Sequence, residues 1–348
     1  MRIAYLVPEG EISGGQRVIF QQGEGLARRG LQVTLVSPSP PPDWFRLTEA
    51  RWERAPFSES LALADADVRV ATFWTTVASA VEGAAGAVFH LCQGFEADHS
   101  FYLALHGRIR EAYALPTRKL AVAPHVARRL EEEGFGPVAL VGQTFDPSEF
   151  PAAAGRGFGT GEPIILLVGT FEADVKGVRE SLEALRLLRS KGLRFRLRRI
   201  STTPPAEEEK ALGLAARHDV GLSTREMAAA YRSADVLIGP CHEEEGFGLP
   251  VLEALSSGLP VLLSDTSGHR HIAREAAGYF ASGDALALAS SLEALLDDRL
   301  ARQRLSELGP REAARFRTSD VVDRLIDEFE RATPVEQTPS LPQPRVSG

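Results

Sequence analysis

Long apolar runs, cysteine and excess positive charge are what this sequence lacks. No stretch approaches the roughly 18 apolar residues of a membrane-spanning helix. The apolar run within Met1-Arg-Ile-Ala-Tyr-Leu-Val-Pro8 is too short for a secretory leader and reads as a first strand. Only two cysteines occur, Cys92 and Cys241, each near the end of an apolar run. No disulfide framework is therefore expected, and reduced cytosolic thiols are the simpler reading. The formal net charge of −8 argues against a nucleic-acid partner. No His/Cys cluster has zinc spacing. A cytoplasmic protein is expected, with room for a peripheral contact at the inner membrane face.

What is present suits a soluble two-domain chain: 348 residues, 44% hydrophobic and 25% charged. Strand-like runs alternate with helical patterns throughout. In the first half they are 3–7, 33–36, 68–72, 88–92, 120–123 and 138–141. In the second they are 164–168, 195–200, 236–239 and 261–264. Nearly continuous Val, Ile, Leu and Ala suits strands buried on both faces of a parallel sheet, and the alternation predicts a doubly wound α/β architecture. Ala66-Asp-Val and Ala234-Asp-Val each precede such a run, an internal echo consistent with two copies. The stretch Asp146 to Pro163, rich in Gly, Pro and Ala, has linker composition. Residues 319–331 read as an amphipathic helix with Val322, Leu325, Ile326 and Phe329 on its apolar face. The Pro-containing tail 332–348 is expected to be disordered.

The chain is organised around Pro240-Cys-His-Glu-Glu-Glu-Gly-Phe-Gly-Leu-Pro-Val-Leu-Glu253. A short buried strand precedes it and a helix from Leu249 follows, with Pro250 in the first helical turn. Glu245-Gly-Phe-Gly is then a turn from a strand's carboxyl end into a helix amino terminus, a geometry that aims backbone N–H groups at an anion. Gly246 and Gly248 let a ligand approach the main chain. Glu245 and Glu253 bracket the turn. A solvated acidic loop and an ordinary helix glutamate is the plainer alternative. Together with the turn, the two carboxylates suit a molecule carrying both phosphate and sugar hydroxyls.

This stretch, continued by Ala254-Leu-Ser-Ser-Gly-Leu-Pro260, resembles family 4 of the retaining glycosyltransferases and their Glu-x7-Glu motif. The resemblance implies a GT-B fold: two Rossmann-like domains facing across a cleft. It implies residues 1–150 as the acceptor-side domain, 164–305 as the donor-side domain, and 306–331 as closing helices, the last crossing back to the first domain. It also implies a nucleoside-diphosphate-sugar co-substrate, no other cofactor, no metal, and a hydroxyl acceptor of unspecified identity. Carried onto this sequence, the donor is held by Gly14, Gly15, Gly169, Thr170, Lys176, Glu226, Glu245, Gly246, Phe247, Gly248, Leu249 and Glu253.

Ser13-Gly14-Gly15 repeats the glycine turn, with a helix expected from Gln16 or Arg17, and is similar to the family's Gly-Gly loop. Lys176 matches a diphosphate-binding lysine, whereas Thr170 stands where an arginine is usual. Gln93 occupies the place of a histidine that contacts the transferred sugar. Gln93, Glu96 and His125 are the acceptor-side candidates, and Glu245, Gln93 and Lys176 the catalytic ones. His90, inside an apolar run, reads as a satisfied core histidine. Arg108, Arg110, Arg128 and Arg129 offer a basic patch, though Glu131-Glu-Glu133 favours a salt-bridged helix. Asp65-Ala-Asp67 spells Asp-x-Asp but precedes its strand, the wrong edge for a metal site. Ser201 to Pro204 and Leu222 to Glu226 are loop candidates near the nucleotide base. A two-domain solute-binding protein, and a phosphorylase or epimerase of the same fold, remain the alternatives.

Overall fold

The computed structural model describes residues 1–8, 14–152, 156–159 and 161–333. Thirteen strands among them form two parallel sheets. The first contains β1 (Arg2–Leu6), β2 (Gln32–Ser37), β3 (Arg51–Arg54), β4 (Val68–Ala71), β5 (Ala87–Cys92), β6 (Arg118–Ala121) and β7 (Val138–Leu140), in the order β3-β2-β1-β4-β5-β6-β7. The second contains β8 (Ile164–Val168), β9 (Arg196–Ser201), β10 (Ala215–Val220), β11 (Val236–Gly239), β12 (Val261–Ser264) and β13 (Gly278–Phe280), in the order β10-β9-β8-β11-β12-β13. Central strands such as β4, β11 and β12 are buried along their whole length. That burial is why β11 and β12 read as apolar runs, while in β4 the buried Arg69 interrupts the run and donates to the Ala80, Glu82 and Gly83 carbonyls.

β3, β10 and β13 were not expected from the sequence. All three lie at sheet edges. Arg51-Trp-Glu-Arg54 and Ala215-Ala-Arg-His-Asp-Val220 have no residue fully buried, so nothing in their packing demands an apolar run.

The two sheets share one winding. Each starts at an inner strand, places the next two on one side and the fourth on the other. The Ala-Asp-Val echo has its cause here, because both aspartates precede that fourth strand. Asp67 accepts the Arg2 backbone N–H at the start of β1 (2.7 Å), and its own N–H donates to the Arg2 carbonyl. Asp235 does the same for Ile164 at the start of β8, at 2.7 Å. Asp67 also pairs with the Arg2 guanidinium, so it serves strand β1 at the amino edge. Among the described residues no group of three or more His, Cys, Asp or Glu comes together as a metal site.

The helix Thr318–Ala332 lies along the helix Gly14–Arg28 of the first domain. Phe329 meets Phe89 at 4.9 Å between ring centroids, and Arg324 donates to the Val141 carbonyl at 2.7 Å. Ile326 is only partly buried, while Val322, Leu325 and Phe329 are fully so. Ala332 closes this helix rather than opening the tail, Thr333 follows it and donates to the Phe329 carbonyl at 2.8 Å, and the remaining 334–348 lie outside the described residues. In the linker stretch, Phe150 and Phe158 are buried, and 153–155 and 160 lie outside the described residues. Cys92 and Cys241 are both free and buried. No helix among the described residues is long and apolar enough to cross a membrane.

Candidate active site

In each sheet the connections leave in opposite directions on either side of the first strand, which opens a crevice at the carboxyl ends of that strand and the fourth. In the second sheet this crevice lies between β8 and β11. The loop after β8 carries Gly169 and Thr170 and ends in a 3-10 turn, Asp174–Lys176. The loop after β11 carries Glu245 to Gly248 and enters the helix Leu249–Ser256. Gly248 adopts φ 90°, a left-handed conformation that glycine takes without strain. In the first turn of that helix Pro250 has no N–H and the Val251 N–H donates to the Gly248 carbonyl at 3.0 Å, so what the helix amino terminus offers an anion is chiefly the positive end of its dipole.

Lys176 and Glu245 meet across it, Nζ to Oε1 at 2.6 Å. Burial pushes the Glu245 carboxyl up, but the adjacent ammonium outweighs burial and holds it below the usual carboxylate range. Glu253 behaves in the opposite way. It is buried beneath the turn, accepts from the Tyr231 hydroxyl at 2.7 Å, and has Arg17 at 3.9 Å. Burial dominates and pushes its carboxyl up to about 7, against the pull of Arg17 and Tyr231.

Beneath the loops two buried side chains hold the backbone. Arg199 is fully buried and donates to the carbonyls of Leu167 (2.7 Å) and Gly169 (2.9 Å), with Glu209 neutralising it at 2.6 Å. His269 Nδ1 is 3.0 Å from the Ser264 carbonyl, so that nitrogen carries the proton. Burial pushes its pKa down to about 4 and keeps the ring neutral under Gly248 and beside Cys241.

The first domain closes the crevice from the other side. Gly14 faces Leu249, and Gln93 donates its amide N–H to the Gly15 carbonyl at 3.0 Å. Gly246 abuts Gln93 so closely that a Cβ there would stand 1.9 Å from the Gln93 carbonyl oxygen. His125 Nε2 meets the Glu245 carbonyl at 3.2 Å. Beside these contacts opens a cavity of about 410 Å³ between Gly94–Asp98, the helix Pro124–Glu132 and Glu243–Gly246.

The structure thus brings Gly14, Gly15, Gln93, His125, Lys176, Glu245, Gly246 and Leu249 together at one crossing. Other expected positions do different work. Phe247 buries its ring against Phe316 and His271, leaving only its backbone to the crevice. Glu226 is exposed and caps its own helix, accepting from the Ser223 N–H and hydroxyl at 2.8 and 2.6 Å. Thr170 lies 3.3 Å from Thr202, hydroxyl to hydroxyl. Glu96 accepts from the Tyr113 hydroxyl at 2.7 Å, and burial raises its carboxyl to about 7.

Two expectations need correction. His90 is a core residue, but neither ring nitrogen has a hydrogen-bond partner among the described residues, and burial drops its pKa to about 3. The first helix begins at Gly14, ahead of the expected Gln16 or Arg17, and its two opening glycines lie so close to Leu249 and Gln93 that a Cβ would stand 3.0 and 3.3 Å from them. Ser13 lies outside the described residues. In the basic patch, Arg129 pairs with Asp98 and Glu133, and Arg110 with Glu133. Arg17, Tyr231, Arg199 and His269 went unnoticed in the sequence. Arg17 alone carried a signal, its place just after a glycine turn.

The family described as Glycosyl transferases group 1 matches residues 162–298. A phosphatidyl-myo-inositol mannosyltransferase of Mycobacterium leprae is 36% identical over 105 residues, 30% of this chain and 28% of that protein. That match thus spans less than a third of the relative's length. A phosphatidyl-myo-inositol mannosyltransferase of Mycobacterium tuberculosis is 26% identical over 375 residues, covering 95% of this chain and 97% of that one. Among solved structures, Anabaena Alr3699/HepE in complex with UDP-glucose superposes with a TM-score of 0.74 at 12% identity, covering 94% of this chain and 99% of that one.

Proposed function

We propose, from the premise that this chain is a glycosyltransferase of the GT-B fold, that it moves a sugar from a nucleoside-diphosphate-sugar to a hydroxyl acceptor, with retention and without a bound metal. The observation that carries the reading is the convergence, in the β8/β11 crevice, of Lys176, Glu245 and a helix amino terminus above the buried Glu253.

The diphosphate lies over the Gly169–Lys176 loop and the first turn of the helix Leu249–Ser256. Lys176 and the positive end of the helix dipole stabilise the negative charge that grows there as the glycosidic bond breaks. Glu253 accepts hydrogen bonds from the ribose hydroxyls, and Glu245 from hydroxyls of the transferred sugar. Gln93 reaches the sugar from the first domain. The acceptor enters by the cavity beside Glu245. Its hydroxyl oxygen attacks the anomeric carbon from the face the diphosphate leaves. The carbon–oxygen bond to phosphate breaks, and the acceptor proton passes to the departing phosphate oxygen, so no protein nucleophile is needed. The fit of Gly246 against Gln93 excludes water, which would otherwise compete as acceptor.

The test is incubation with labelled UDP-, GDP- and ADP-sugars and a hydroxyl-acceptor panel in excess chelator, counting nucleoside diphosphate released and assigning the product anomer by NMR. Release in chelator with the donor's anomeric configuration kept is expected. Activity that returns only with manganese or magnesium, or an inverted product, contradicts the reading.

A further inference from the structure

Arg17 has no part in the reaction as described, yet its contacts are unusual for where it stands. It belongs to the first turns of the helix Gly14–Arg28, on the first domain. Its polar partners lie in the connecting segment and the second domain. Nη2 donates to Glu149 Oε2 and to Thr224 Oγ1, both at 2.8 Å, and Nη1 is 3.9 Å from Glu253 Oε1. Its guanidinium also lies over the Phe150 ring, 5.6 Å from the centroid.

We propose that Arg17 is a cross-domain positioning residue: closure of the two domains brings its guanidinium to Glu253 and holds that side chain as an oriented carboxylate for the ribose hydroxyls. The inference rests on the reading that Glu253 binds ribose.

Among the described residues, the titratable groups that act on the Glu253 carboxyl are Arg17 from the first domain, Tyr231 from the helix Thr224–Ser233 and Glu149 from the connecting segment. Tyr231 donates a neutral hydrogen bond and Glu149 adds negative charge. Arg17 is the one cation of the three. Its geometry is specific, because one guanidinium nitrogen is anchored by Glu149 and Thr224 while the other faces Glu253. Opening the domains would withdraw it, since its helix and Glu253 belong to different sheets. Burial already holds Glu253 near neutrality with Arg17 in place, so loss of the guanidinium leaves a protonated carboxyl at pH 7. A carboxyl raised this way is charged only above its pKa, so ribose binding strengthens as pH rises through about 7 and weakens below it.

The experiment is calorimetric titration of UDP, GDP and ADP between pH 6 and 8.5 into the unaltered chain, Arg17→Met, Arg17→Lys and Glu253→Gln. For the unaltered chain, affinity should rise through about pH 7. Arg17→Met should move that rise upward by about one pH unit, a loss of roughly fivefold at pH 7 that recovers by pH 8.5. Arg17→Lys should restore most of the profile, and Glu253→Gln should abolish the pH dependence and weaken binding throughout. A uniform loss for Arg17→Met, with the pH profile unmoved, would make Arg17 a mere strut and overturn the proposal alone. Full affinity for Glu253→Gln, or no binding of any of the three nucleotides to the unaltered chain, would overturn the ribose reading beneath it. Should Arg17→Met melt below assay temperature, Arg17→Gln keeps hydrogen bonding to Glu149 and Thr224 without the charge and decides the same question.

Discussion

Lys176 does two jobs at 2.6 Å from Glu245. It supplies positive charge to the crevice, and against the upward push of burial it helps hold the Glu245 carboxyl below the usual carboxylate range. Lys176→Ala should therefore weaken nucleoside diphosphate binding about ten- to a hundredfold, since a hydrogen bond to a charged group contributes about 1.5–3 kcal/mol. It should also leave Glu245 without its cation, so that the acid limb of the pH–rate profile moves to higher pH as that carboxyl protonates more readily. Calorimetry and a pH–rate profile check both, and unchanged affinity would make Lys176 a surface residue. At this scale the sequence was legible where a residue type is rare in its setting. A lysine after a strand-end turn and carboxylates around a glycine turn stood out, because burying or crowding such groups needs a reason. Arg17, Tyr231 and Arg199 did not stand out. Their partners are 22 to 207 positions away in sequence for Tyr231–Glu253 and Arg17–Thr224, and no local spacing records such a contact. His90 shows the converse error, since an apolar neighbourhood announced its burial but not its missing hydrogen bonds.

The turn from β11 into the helix Leu249–Ser256 is the element on which closure depends. Gly246 meets the backbone of Gln93 where any side chain would collide, at 1.9 Å from the carbonyl oxygen. A backbone obstacle cannot rotate away as a flexible side chain would. Gly246→Ala should fold with a near-normal melting temperature, bind free nucleotide about as well as the unaltered chain, and lose most of its transfer rate, because the first domain can no longer seat against the turn. Initial rates beside a nucleotide titration check this, and normal transfer by Gly246→Ala would show that the contact is not needed in the reaction. Strands such as β11 and β12 were legible because burial forces an apolar run, whereas the edge strand β7, with no residue fully buried, was legible from its Val-Ala-Leu composition alone. Of the ones that were not, β3 and β10 are edge strands with no residue fully buried and so free to be polar, while β13 is an edge strand of three residues, too short to show a pattern. Glu226, expected near the nucleotide base, caps its own helix through Ser223, a contact that the spacing of Ser223 and Glu226 also records.

Across the whole molecule, one winding is used twice, and Asp67 and Asp235 fix the start of the first strand in each copy. The repeat places a crevice at the same point of both sheets and turns the two toward each other. The helix Thr318–Ala332 then ties the chain's later part back onto the first domain through Phe329, Val322 and Arg324. Phe329 is fully buried, so Phe329→Ala should destabilise the first domain by about 3–5 kcal/mol, read as a lowered denaturation midpoint with free-nucleotide affinity little changed. An unchanged midpoint would mean that the helix is not a structural tie. The central claim, that the β8/β11 crevice holds a nucleotide-sugar with its ribose on Glu253 and its sugar on Glu245, meets its most direct test in one paired titration. Nucleoside diphosphate and the matching nucleotide-sugar are titrated into Glu253→Gln and Glu245→Gln, each first shown to melt normally. Glu253→Gln should weaken both ligands alike, whereas Glu245→Gln should spare the free nucleotide and weaken only the sugar-bearing form. Loss of free-nucleotide binding in Glu245→Gln with full binding in Glu253→Gln would reverse the assignment, and full binding of both ligands by both variants would place the donor elsewhere.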